Sequence, residues 1–204
     1  MKITTLVQYF SAFSILFPLS AAVVYWIKRK FTFEKRVNII AAYFIIALVT
    51  QVFMLLLSFS GQSNLSVIRI YVIIESLILS YFLLSIQIKS SVRKLSLTFL
   101  FGLIIFLVDY YWGKPNSLPI ESIMFESIII TIIGMTTIPE IRLEKSHENS
   151  FYYFVFAIMV YSVNNLIGYG FMELAPGFSL TVQAIVNVVK NLIFTWGFYL
   201  LIKK

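Results

Sequence analysis

The stretch "NIIAAYFIIALVTQVFMLLLSFS", residues 38 to 60, contains no charged side chain in 23 residues. A helix needs about 20 apolar residues to cross the hydrocarbon core of a bilayer, so this stretch predicts a transmembrane helix. The whole chain follows the same pattern, with 204 residues of which 60% are hydrophobic and 12% charged. Soluble domains carry about 25% charged residues. The sequence therefore predicts an integral membrane protein.

Six further runs have a similar length and apolar character, which predicts an all-α polytopic fold with seven transmembrane helices in one bundle over residues 1 to 204. Six spans are the alternative count. Pro18 lies inside the first run and is expected to kink its helix. The predicted spans are residues 5 to 27, 38 to 60, 66 to 88, 95 to 112, 119 to 138, 151 to 171 and 179 to 202.

The beginning of the chain resembles a signal peptide, with Lys2 before an apolar core and small residues. The apolar run is longer than a typical signal-peptide core and continues into a basic cluster at residues 28 to 30, which is a stop-transfer pattern. We therefore expect the first span to be retained.

Basic residues predict the orientation of the bundle, because Lys and Arg accumulate on the cytoplasmic side. The connections after spans one, three and five and the C-terminal end carry twelve of them, against three on the opposite side. We therefore expect the N-terminus outside and the C-terminus inside. The twelve are Lys28, Arg29, Lys30, Lys35, Arg36, Lys89, Arg93, Lys94, Arg142, Lys145, Lys203 and Lys204, and the three are Lys2, Arg69 and Lys114.

Composition also excludes several kinds of chemistry. The chain has no cysteine, and its one histidine, His147, lies in a polar loop, so thiolate and intramembrane imidazole chemistry are excluded. No zinc-protease, nucleophile-elbow, phosphate-loop or dinucleotide-binding motif is present, which argues against an enzyme and a metal site. The chain has a net charge of +7, and its basic residues cluster next to the apolar spans. This distribution indicates contact with anionic lipids rather than with nucleic acid.

Three charged residues lie deep inside the predicted spans, Glu75, Glu126 and Lys190, whereas Arg69, Asp109 and Glu121 lie near the outer boundary. Counting about 1.5 Å per residue places them roughly 14, 10 and 16 Å below the outer face. A charge inside a bilayer is costly, so such residues face the bundle interior and pair or line a cavity. Lys190 is expected to pair with one of the two glutamates, which leaves the other acid protonated or free to meet a cation.

Further polar residues fall at similar depths, with Gln183, Asn187 and Lys190 along one helical stripe and Tyr71 stacked on Glu75. These residues predict a site for a ligand, ion or proton in the outer half of the bilayer. The alternative is that they serve as interhelical hydrogen bonds that hold the bundle together. The supporting residues of the predicted site are Gln51, Tyr71, Asn164, Asn165, Gln183 and Asn187.

Two layouts of known families resemble this one. A lysine midway along span seven with an acid on span three resembles microbial rhodopsins, which would imply retinal on Lys190 and Glu75 as its counterion. The tryptophans expected around retinal are missing from spans three and six, so no cofactor is expected. The size and topology also resemble sugar transporters with two three-helix halves, although their Pro-Gln signature is absent.

The chain is most similar to uncharacterised bacterial seven-helix proteins of about 200 residues. This resemblance rests on "YVIIESLILSYFLL" (71 to 84), "ESIMFESIIITI" (121 to 132), "FYYFVFAIMVYSVNNLI" (151 to 167) and "VNVVKNLIFTWGFY" (186 to 199). It implies a protein of the bacterial inner membrane that accompanies a sensor histidine kinase. The expected function is that of a receptor that binds a small polar ligand, ion or proton and signals through a partner. A small transporter and a structural scaffold are the alternatives.

Overall fold

The computed structural model describes residues 3–28, 35–114, 117–143, 148–172 and 174–203. Within these ranges the chain is helical, with seven helical segments long and apolar enough to cross a membrane. The predicted all-α, seven-span fold is confirmed, and the protein is a multi-pass membrane protein. Its helices are α1 (Ile3–Phe13), α2 (Leu16–Lys28), α3 (Lys35–Phe59), α4 (Leu65–Gln87), α5 (Ser91–Trp112), α6 (Ile120–Leu143), α7 (Glu148–Gly170) and α8 (Pro176–Lys203).

The first span is broken, as Pro18 predicts, and consists of α1 and α2 separated by a turn at Ser14 and Ile15. Proline has no N–H to donate to the carbonyl four residues earlier, which here belongs to Ser14. The Ser14 carbonyl instead accepts from the backbone N–H of Phe17, at 3.1 Å, in a tighter turn. The kink lies one turn before the proline for this reason.

Two predicted span ends differ by four or more residues from the helices observed, and the other ends agree within three. Helix α5, which forms the fourth span, begins at Ser91 instead of residue 95. The side chain of Ser90 accepts from the backbone N–H of Arg93 and caps the beginning of this helix. The fifth predicted span ends at residue 138, whereas α6 continues through Pro139 to Leu143. Backbone hydrogen bonds rather than hydropathy decide where a helix ends, so it can continue into a polar segment.

The helices form a ring in the order α3, α4, α6, α7, α8 and α2, with neighbours in direct contact. Helix α5 lies outside this ring against α4 and α6, and α1 packs on α8. The position of α5 follows from its single buried stripe, Thr98, Gly102, Ile105 and Val108, at helical spacing. The remaining faces of α5 are apolar and exposed, as a lipid-facing helix requires.

Short connections make successive helices antiparallel, so the bundle has two ends. The α3–α4 end carries residues 60–64, 113–114, 117–119, 171–172 and 174–175, together with the beginning of α1. The α4–α5 end carries residues 88–90 and the basic residues Lys28, Lys35 and Lys203. The charge distribution predicts that the α3–α4 end faces outside.

Phenylalanines fill the bundle interior on the side of the α4–α5 end. The rings of Phe44 and Phe194 meet edge to face with centroids 4.9 Å apart, and those of Phe154 and Phe198 lie 5.0 Å apart. All members are at most 2% exposed, so this region is densely packed. We call this cluster the aromatic plug, and it consists of Phe44, Phe82, Phe151, Phe154, Phe194 and Phe198.

Candidate functional site

A cavity of about 270 Å³ lies between α1, α3, α4, α7 and α8. It extends along α8 from Leu180, near the α3–α4 end, to Asn191, next to the aromatic plug. Its wall combines tyrosines, side-chain amides and two ionisable groups inside an otherwise apolar bundle. The polar residues that line it are Ser11, Tyr43, Thr50, Gln51, Tyr71, Glu75, Tyr161, Asn165, Tyr169, Gln183, Asn187, Lys190 and Asn191.

The carboxylate of Glu75 is held by three tyrosine hydroxyls from three helices. Tyr43 on α3 donates to Oε1 at 2.8 Å, Tyr71 on α4 donates to Oε1 at 3.3 Å, and Tyr161 on α7 donates to Oε2 at 3.2 Å. Glu75 is 2% exposed. A buried carboxylate needs such donors because burial removes its hydrating water. These three hydrogen bonds to Glu75 connect α3, α4 and α7 at the depth of the cavity.

The ammonium of Lys190 lies against two of these tyrosines. Its Nζ donates to the hydroxyl of Tyr43 at 3.4 Å and lies 4.0 Å from the ring centroid of Tyr161. Lys190 is 6% exposed and lines the cavity. An aromatic face attracts a cation through its quadrupole, so Tyr161 partly replaces the water lost on burial.

The expected direct pair between Lys190 and a glutamate does not form. Instead, the hydroxyl of Tyr43 accepts from Lys190 and donates to Glu75. A phenol can do both at once, because its oxygen carries a donor and acceptor lone pairs. Sequence reasoning considered charges alone and therefore missed the hydroxyl that links them.

Two asparagines of α8 fasten it to α1 and the break in the first span. Asn187 Nδ2 donates to Ser11 Oγ at 3.0 Å, and Asn191 Nδ2 donates to Ser14 Oγ at 2.7 Å. Ser11 and Ser14 are about one helical turn apart, and so are Asn187 and Asn191, so the two bonds lie side by side along two helices that run parallel. The broken span therefore forms one wall of the cavity.

Two buried polar atoms on the cavity wall lack a hydrogen-bond partner in the structure. They are Nε2 of Gln183, a donor, and Oδ1 of Asn191, an acceptor. Buried side-chain polar atoms are bonded in the large majority of cases. Both residues line the cavity, so one amide donor, which lies against Gly168, and one amide acceptor are left unused beside it.

Gln183 reaches its position because the facing residue on α7 is glycine. A Cβ at Gly168 would collide with the Gln183 side chain, whereas a Cβ at Gly170 would meet nothing within 4 Å. Ser179 also donates its hydroxyl to the Gly168 carbonyl. Gly168 thus permits close packing of α7 on α8, and α7 ends at Gly170.

Seven of the nine predicted site residues line the cavity: Gln51, Tyr71, Glu75, Asn165, Gln183, Asn187 and Lys190. Asn164 and Glu126 are buried but do not line it. Adjacent residues of a helix point about 100° apart, and the rotation of α7 in the bundle places Asn165 on the cavity wall and Asn164 off it.

Glu126 lies on α6, which packs against α4 and α7 but does not contribute to the cavity wall. It is 2% exposed, and its Oε1 has no hydrogen-bond partner. Ser122 lies one turn earlier on the same helix, and its hydroxyl donates to Asp109 rather than to Glu126. Glu126 is therefore a second buried acid at a similar depth, outside the cavity wall.

Sequence reasoning missed the tyrosines that organise the site, which are Tyr43, Tyr161 and Tyr169. Tyr161 and Asn165 are four residues apart, so a helical stripe on α7 was available as a signal. Tyr43 gives no such signal, because the residues around it on α3 are apolar on every face. Its role arises from the approach of α3 to α4 and α8.

A second polar cluster lies at the α3–α4 end, outside the cavity. Arg69 Nη1 lies 2.5 Å from Asp109 Oδ1, and Arg69 also donates to the carbonyls of Lys114 and Ser117. A Cβ at Gly113 would collide with this ion pair. The cluster joins α4 to α5 and its following connection, and it is a structural fastening of that end.

Comparisons with protein families, with curated proteins and with solved structures found no match. A functional interpretation therefore rests on the chemistry of the cavity.

Proposed function

We propose that the protein is a receptor of the bacterial inner membrane that binds a small polar ligand in the cavity beside Lys190 and Glu75. The observation that carries this proposal is the arrangement of an ammonium and orphaned amide groups around 270 Å³ of space. Bundles held together by polar side chains alone need no such space. Intramembrane ionisable residues are functional candidates by default.

Ligand binding would act on the contacts of Tyr43. A ligand acceptor at Lys190 competes with the Tyr43 hydroxyl, whose bond to Nζ is long at 3.4 Å. Release of Tyr43 loosens α3 from α8, while its 2.8 Å bond to Glu75 keeps α3 on α4. Two arrangements of α8 against α3 would then differ in ligand affinity, as any ligand-driven switch requires.

The signal would leave through a partner. The connections between the described helices are too short for a signalling domain, and we propose that a membrane protein in contact with the bundle reads the change. The resemblance to companions of sensor histidine kinases makes such a kinase the proposed partner. Co-purification with the kinase, weakened when the cavity is filled, tests this link.

The aromatic plug favours a receptor over a transporter. Alternating access opens the site to each face in turn, so a transporter would have to rearrange the aromatic plug, whereas a receptor requires one opening. The plug closes the cavity on the side of the α4–α5 end with six phenylalanines at most 2% exposed. We therefore expect proteoliposomes containing the protein to show no flux of protons or of a bound probe. Flux that Glu75→Gln abolishes would show a transporter instead.

Binding is tested in nanodiscs by the thermal unfolding temperature in the presence of neutral sugars, organic cations, zwitterions and carboxylates. A probe at 100 times its Kd stabilises the folded state by about 2.7 kcal/mol. Ala184, which is 8% exposed and lines the cavity, provides a filling variant, Ala184→Leu. We expect at least one probe to stabilise the wild type but not this variant. Equal shifts in both proteins, or none in either, would overturn the proposal.

A further inference from the structure

The geometry points to a small monocarboxylate that carries a hydroxyl or amino group as the ligand, with its carboxylate on the ammonium of Lys190. This inference rests on the proposed function and names the chemistry of its ligand. It follows from four properties of the cavity wall. These are the unused donors of Lys190, the three tyrosine hydroxyls that already donate to Glu75, the single positive charge, which belongs to Lys190, and the two amide atoms without a partner.

Lys190 has hydrogen-bonding capacity that the protein does not use. An ammonium has three donors, and the structure gives it one protein acceptor, the Tyr43 hydroxyl at 3.4 Å. The ring of Tyr161 covers one side of it at 4.0 Å. The side chain is 6% exposed and lines the cavity, so an acceptor placed there would meet a nearly desolvated cation. Charge-assisted bonds to such a cation are the stronger class of hydrogen bond.

Glu75 is not available to a cationic ligand in the same way. Its two oxygens already accept three phenol hydrogens, from Tyr43, Tyr71 and Tyr161. A ligand ammonium would find at most one lone pair free, on Oε2, and any further bond would displace a tyrosine donor and leave its buried hydroxyl without an acceptor. The wall therefore presents its positive group to the cavity and shields its negative one, which favours an anion over a cation.

The charge and size of the cavity limit the anion. Among the described residues that line it, Lys190 is the only cation and Glu75 the only carboxylate, so a doubly charged phosphate would leave one more negative charge uncompensated than a monocarboxylate. The volume of about 270 Å³ lies below the range of about 300–1,000 Å³ that drug-sized ligands occupy. A short monocarboxylate fits both limits, whereas a long-chain fatty acid does not.

The orphaned amides predict a second polar group on the ligand. Gln183 Nε2 needs an acceptor and Asn191 Oδ1 needs a donor, and both residues line the cavity with Lys190. A hydroxyl can serve either role and an amino group can donate. Hydroxy acids and amino acids are therefore preferred to simple carboxylates such as acetate.

The experiment compares acids with their amides, which differ mainly in charge. Glycolate, lactate and glycine are tested against glycolamide, lactamide and glycinamide, with acetate and methylammonium as further probes, by thermal unfolding of the full chain in nanodiscs. We expect a hydroxy or amino acid to bind at least tenfold more tightly than its amide and more tightly than acetate. Lys190→Met should abolish this preference, and Lys203→Met, which changes an exposed lysine, should retain it.

The acid and amide comparison uses the wild-type protein, so it does not depend on the folding of a variant. Gln183→Leu gives an independent result, because it should weaken glycolate while leaving acetate unchanged. Amides or methylammonium that bind as tightly as the acids, with shifts lost in Ala184→Leu, would overturn the carboxylate inference and leave the proposed receptor intact. No shift with any probe, including the sugars and organic cations, would overturn both.

Discussion

Glu75 and Lys190 share the hydroxyl of Tyr43, which lies 2.8 Å from the carboxylate and 3.4 Å from the ammonium, and they do not touch. The bond chain runs from the ammonium to the phenol to the carboxylate and crosses three helices, α8, α3 and α4. It neutralises two buried charges while leaving the ammonium in contact with the cavity. A direct ion pair with Glu75 would have occupied donors of the ammonium that now remain available to the cavity.

Tyr43→Phe removes the bridge and leaves the rings of the core in place. Lys190 then loses its hydrogen-bond acceptor and Glu75 one of three donors, and burying an unsatisfied group costs about 1–3 kcal/mol. We expect a loss of that size in the free energy of unfolding, measured in mild detergent with a chemical denaturant. Tyr199→Phe is the control, because Tyr199 is 46% exposed and should tolerate the change. Equal losses in the two variants would contradict the bridge.

Glu75→Gln and Lys190→Met should each lower stability, because each leaves the opposite charge buried without its counterpart. Breaking a buried pair from one side typically costs about 3–5 kcal/mol. The double variant has neither charge. We therefore expect its loss of unfolding free energy to be smaller than the sum of the two single losses by about 1 kcal/mol or more. Additive losses would show that the Tyr43 hydroxyl does not couple the two groups.

Glu126→Gln should behave unlike Glu75→Gln. Oε1 of Glu126 has no partner in the structure, and the residue lies outside the cavity wall, so an amide of the same shape removes no observed hydrogen bond. We expect the free energy of unfolding to change by less than about 1 kcal/mol, within the ordinary range for removal of one weak contact. Binding of glycolate should also remain unchanged. A loss as large as that of Glu75→Gln would assign Glu126 to the site.

Gly168→Ala should destabilise the contact between α7 and α8. Its new Cβ would collide with Gln183, and such overpacking typically costs about 1–3 kcal/mol. Gly170→Ala is the matched control, since nothing lies within 4 Å of the position of its Cβ. Thermal unfolding of the two variants should separate them, and a neutral Gly168→Ala would contradict the close approach of these helices.

Single cysteines test the predicted orientation, because the chain has no cysteine of its own. Ser63 lies at the α3–α4 end and Ser90 at the α4–α5 end, and both are exposed. With a membrane-impermeant maleimide on intact cells, we expect Ser63→Cys to react and Ser90→Cys to react only after permeabilisation. The reverse pattern would place the cavity on the cytoplasmic side.

Much of the site could be predicted from the sequence because polar residues are rare inside apolar helices. Gln183, Asn187 and Lys190 form one stripe of α8, and the structure places all three on the cavity wall. Asn164 and Asn165 show the limit of this reasoning, since either could face inward and only Asn165 lines the cavity. Their helix rotation is set by the packing of α7 on α6 and α8, which a single helix does not contain.

The sequence by itself determined the seven apolar helices and the break before Pro18, because hydropathy and the missing N–H of proline are local properties of the chain. Only the tertiary structure decided which groups meet. Tyr43 separates Lys190 from Glu75 because α3 approaches both α4 and α8, and Glu126 is excluded because α6 packs outside the cavity wall. Contacts between distant residues depend on how whole helices pack, and that packing decides which polar groups remain free for a ligand.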